Sequence, residues 1–95
     1  MPATYMVECY WPDVSEAKVE EIAARARRSA EAVSQAGTPV SFAGSILVPG
    51  DEVVFFQFDG TSAEAVRAAS EQAGIPFERI VESEQMATQP QEGRR

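Results

Sequence analysis

Residues 52–60 read EVVFFQFDG, and the fold follows from how that run is parsed. Val53, Val54, Phe55, Phe56 and Phe58 crowd together and Asp59-Gly60 closes the run, which is the composition of a β-strand. Alternate side chains of a strand point to opposite faces, so Val54, Phe56 and Phe58 share one face. Val53, Phe55 and Gln57 share the other. Both faces are nearly apolar, so the strand belongs inside a sheet rather than at its edge.

Outward from that strand, β-type and helical patterns alternate. Residues 4–11 (TYMVECYW) predict a first strand, with Tyr5, Val7, Cys9 and Trp11 on one face and Met6, Glu8 and Tyr10 on the other. Pro12-Asp13 ends it. A helix follows, capped by Asp13 or Ser15, with Glu16 spaced from Asp13 as in a capping box. Val19, Ile22, Ala23, Ala26, Ala30 and Val33 form one apolar stripe, and its alanines allow close approach to a sheet. Gly37 and Pro39 stop the helix. Residues 40–48 (VSFAGSILV) predict a second strand with Gly44 as a bulge, joined by Pro49-Gly50-Asp51 to the central run as a hairpin. Thr61-Ser62-Ala63-Glu64 opens a second helix in a capping-box pattern. Gly74 and Ile75 end it as a Schellman stop. A last strand covers residues 77 to about 84. Residues 87–95 read as a disordered tail, leaving a single domain over residues 1–86.

The order β-α-β-β-α-β is that of the ferredoxin-like α+β sandwich. Right-handed crossovers give a four-stranded antiparallel sheet of order 4-1-3-2, with both helices on one face. The face of Val54, Phe56 and Phe58, with Val7 and Cys9, is the expected core. Met6, Tyr10, Val53 and Phe55 then lie on the uncovered face, with Glu8 and Gln57 among them. Each large side chain buried there is worth on the order of 1.5–3 kcal/mol, and so contiguous a patch is unusual on a monomer. A homodimer packed sheet to sheet is the expected remedy, with a pocket kept open by the polar residues.

Composition narrows the function classes. The chain has 95 residues, a formal charge of −7, no His and one Cys. An acidic chain repels phosphate backbones, so no nucleic-acid partner is expected. Arg25, Arg27 and Arg28 read as a solvated helix face within reach of glutamates. A lone Cys suits a reducing compartment. No signal peptide and no membrane-length apolar run are seen, so a cytoplasmic location is expected and no membrane partner.

The segments YMVE, GSILVPGDEVVFFQF and above all SAEAVRAASEQAGIPFERIVE resemble a family of small ferredoxin-like bacterial proteins. That family is catalogued as a domain of unknown function and often described as nickel-binding. The resemblance spans about residues 4–84. It implies a ferredoxin-like fold, sheet-to-sheet dimers and nickel as a cofactor. Family members commonly carry a His near the position of Gly44 and a Cys where Phe56 stands. Imidazole and thiolate suit nickel, and neither is retained here, which reads as a metal function lost or never present in this branch.

Cys9, the only thiol, lacks a His to favour thiolate and reads as a small core residue. Glu8 interrupts an apolar strand and needs a partner, with Tyr10 or Gln57 the expected hydrogen-bond donors. Beside Glu82 it would form a carboxylate pair able to hold a hard cation. Tyr5, Trp11, Phe42 and Phe55 are candidate walls of an aromatic cavity, though core or interface is the commoner role. There is no Gly-rich phosphate loop, no Ser-His-Asp set and no CxxC. The leading reading is a non-catalytic small-ligand or metal-binding module whose pocket holds Glu8, Tyr10, Phe55 and Gln57. The alternative is a cofactor-light monooxygenase or isomerase of the dimeric α+β barrel type, with Tyr10 or Glu8 as its acid–base group.

Overall fold

The apolar run forms strand β3 (Val53–Gly60), and the strands on either side of it are β2 (Val40–Val48) and β1 (Ala3–Tyr10). Strand β4 (Arg79–Ser83) pairs with the far edge of β1. All pairings are antiparallel, and the order β2-β3-β1-β4 is the expected 4-1-3-2 read from the other edge. Helices α1 (Glu16–Gln35) and α2 (Ala63–Ala73) connect the strands. This computed structural model describes residues 3–84 and residue 86. The tail expected over 87–95 lies outside the described residues. Among the described residues no helix is long and apolar enough to cross a membrane.

One face of the sheet is dry. Tyr5, Val7, Cys9, Val54, Phe56 and Phe58 are buried there beneath Val19, Ile22, Ala26 and Ala30 of α1 and Ala65, Val66 and Ala69 of α2. Alanine at so many helix contacts lets the helix backbones sit close to the strands. Val53, Phe55 and Gln57, alternating with these, are half-buried on the opposite face.

The helix ends differ in detail from the sequence expectation. Ser15 caps α1, its hydroxyl accepting from Lys18 N at 3.1 Å. Asp13 sits outside the helix at φ 62, so the box with Glu16 does not form. Ser62, not Thr61, caps α2 and accepts from Ala65 N. At the other end the stop is as expected. Gly74 lies at φ 74, where a Cβ would be strained, Gly74 N donates to Glu71 O, and Ile75 N donates to Ser70 O. The same pair of bonds closes α1, from Gly37 N to Ser34 O and Thr38 N to Val33 O.

Ser70 is fully buried, and its hydroxyl has no hydrogen-bond partner among the described residues. A buried unpaired hydroxyl carries its desolvation cost without return. Ser70→Ala is therefore expected to stabilise the fold by on the order of 1 kcal/mol. The urea midpoint should rise with an unchanged slope. A lower midpoint would mean the hydroxyl bonds a carbonyl of the preceding turn.

Candidate functional site

The register lays out the uncovered face as rows across the sheet from β2 to β4. Val48, Val53 and Tyr10 make the first row, and Ile46, Phe55, Glu8 and Arg79 the second. Gly44, Gln57, Met6 and Val81 make the third. Ser41, Asp59, Thr4 and Ser83 make the fourth. The face thus grades from apolar at the hairpin end to polar at the other. Tyr10 is 56% exposed, Ile46 48% and Val81 37%. Phe55 and Met6 are half-buried between them.

Three polar contacts organise this surface. Arg79 Nε donates to Glu8 Oε1 at 2.6 Å, and Tyr10 OH donates to Glu52 Oε1 at 3.3 Å. Thr4 Oγ1 donates to Asp59 Oδ1 at 2.9 Å. Glu8 therefore has its charge partner, but it is neither Tyr10 nor Gln57. A shallow hollow of about 240 Å³ opens one row away, lined by Thr4, Met6, Gln57, Ser83 and Glu84. Beside Gln57, Gly44 adds room: a Cβ there would meet nothing within 4 Å.

Of the residues expected to form the site, Glu8, Tyr10, Phe55 and Gln57 share one face, and Gln57 alone of them lines the hollow. The Glu8–Glu82 carboxylate pair does not form, because Glu82 stands opposite Tyr5 and Glu8 opposite Arg79. The aromatic wall also falls apart. Tyr5 is in the core, and Phe42 packs edge-on to Phe58 at 5.3 Å with the Arg27 guanidinium 5.6 Å above its ring. Trp11 packs at the core's margin, and Phe55 lies on the other side of the sheet. Arg27 is thus exposed but not simply solvated. The residue that sequence reasoning missed is Arg79, whose face depends on the pairing parity of β4.

Residues 5–82 match the family described as "Nickel responsive protein SCO4226-like". The chain belongs to that family. The crystal structure of SCO4226 from Streptomyces coelicolor A3(2) has the same fold, with a TM-score of 0.68 at 23% identity. The match covers 90% of this chain and 100% of that one. No curated protein matches the chain.

Nickel fits this member of the SCO4226-like family poorly. The chain has no imidazole. Its one thiol, Cys9, is fully buried on the helix side, and burial, aided by the charges of Glu78 and Glu8, pushes it up to about 12. A thiol so held is not the thiolate a metal takes. Among the described residues no group of three or more His, Cys, Asp or Glu side chains is placed to hold a metal ion. Gly44 and Phe56 also lie on opposite faces of the sheet, so donors at those two positions would not converge.

Proposed function

We propose that this member of the SCO4226-like family is a non-catalytic homodimeric binding module of the cytoplasm. Two copies cover each other's uncovered sheet faces, and the hollow beside Gln57 closes into a pocket for a small polar ligand. The observation behind this reading is the second row, where Ile46 and Phe55 run unbroken into the neutralised Glu8–Arg79 pair. That balance matters on a chain of charge −7. Most of the surface would repel a second copy, whereas this face offers apolar contact at little electrostatic cost. Nickel is not the ligand on this reading, because the donors it prefers are missing.

Sedimentation at micromolar concentration tests the dimer. The wild-type chain is expected to sediment as two copies and Phe55→Glu as one, with an unchanged circular dichroism spectrum. Single chains in the wild type would sink the proposal. Elemental analysis after chelator-free purification is expected to give substoichiometric nickel, and a stoichiometric content would restore a metal role.

A further inference from the structure

A second feature lies on the helix side at the hairpin end of the sheet, and it meets the uncovered face at Glu52, which accepts from Tyr10 OH at 3.3 Å. Two hollows of about 280 and about 200 Å³ flank Leu47 and Pro49, which line both. Trp11 and Val19 complete the apolar floor, one in each hollow. The rims are acidic: Glu16 and Glu20 border the larger hollow, Asp13 and Glu52 the smaller. None of these carboxylates is in a salt bridge among the described residues. Lys18, the one cation between Asp13 and Ala24, is drawn to Glu21 at 3.6 Å.

We infer that this groove docks an extended basic segment of a partner protein that carries an arginine at every second position, so that successive arginines face the two hollows. Leu47 and Pro49 line both hollows and divide the floor between them, so one compact ligand would fill only half of it. Two adjacent hollows sharing an apolar ridge suit two side chains of one extended segment. Long cationic side chains lay their methylene stems on such a floor and leave their charges at the rim. The rim carboxylates supply the opposite charge and steer the approach. A free metal ion would use the rim but not the floor.

The only tryptophan of the chain, Trp11, lies in the groove and reports its occupancy. The probe is a short capped peptide with arginine at every second position and serine between, titrated while Trp11 emission is followed. A saturable blue shift is expected. The double variant Glu16→Gln, Glu20→Gln should weaken binding roughly tenfold. Glu64→Gln with Glu71→Gln removes the same charge from α2 and should weaken it by less than about twofold, since distant charges are screened. Three results overturn the inference: no saturable shift, equal weakening by the two double variants, or spermine binding as tightly as the peptide.

Discussion

Phe56→Ala is expected to cost about 3–5 kcal/mol, the range for emptying an aromatic site in a packed core. Phe56 is fully buried at the middle of β3, opposite Val7 on β1 and Ser45 on β2, with the Phe42 ring 6.5 Å away. A chain of 95 residues has only about 5–14 kcal/mol in total. The variant should therefore be partly unfolded at physiological temperature, as urea titration at 25 °C will measure. A loss below about 1 kcal/mol would mean that the core collapses around the gap or that Phe56 is not central to it. Phe55, the next residue, faces the other way. If two copies pair through this face as proposed, the cost of Phe55→Ala should instead grow with protein concentration, because pairing would cover the rest of that half-buried side chain.

Cys9 gives the second large effect. In the native chain a thiol reagent at mild alkaline pH should react on the order of a thousandfold more slowly than in the urea-unfolded chain, since access requires opening of the core. Equal rates would place the thiol at the surface. The same burial ties stability to pH. The Cys9 pKa is raised from 9.0 to about 12 by desolvation first, then by the charges of Glu78 and Glu8. The folded state thus keeps its proton where the unfolded state loses it. Unfolding releases a proton above pH 9.0, and stability contributed by the neutral thiol is present below that pH and falls as pH rises toward about 12. Cys9→Ala should remove that part of the alkaline slope. Identical alkaline slopes for the two proteins would refute it.

The fold was legible because its cues are local. Val53 to Phe58 display the two faces of an inner strand, the alanine-rich stripe from Val19 to Val33 names its buried side, and Gly74-Ile75 carries its own stop signal. The caps were less legible, since Asp13, Ser15, Thr61 and Ser62 are all competent acceptors and backbone geometry chooses among them. Strand β2 defeats simple alternation. Phe42 pairs with Phe58 and Leu47 with Val54, both on the helix side, although the two stand five positions apart and simple alternation would put them on opposite faces. The register shift between Phe42 and Gly44, where Gly44 adopts φ 153, absorbs the extra residue. Gly44 hinted at a bulge but not at its consequence for the faces.

The site depended most on β4. Ile80 and Val81 are both apolar, so either one reads as the core residue. With Ile80 opposite Val7, Arg79 falls opposite Glu8 and closes the ion pair. The other parity would have turned Arg79 toward the helices. By itself, then, the sequence determined the elements, their order and the inner faces of β1 and β3, because side-chain periodicity and turn chemistry act over a few residues. Only the tertiary structure decided that Glu8 meets Arg79 instead of Glu82, that four aromatic residues part company, and that two acidic-rimmed hollows flank Leu47. Those outcomes rest on which residues of distant strands come into register, and a one-residue slip would move each side chain to the opposite face.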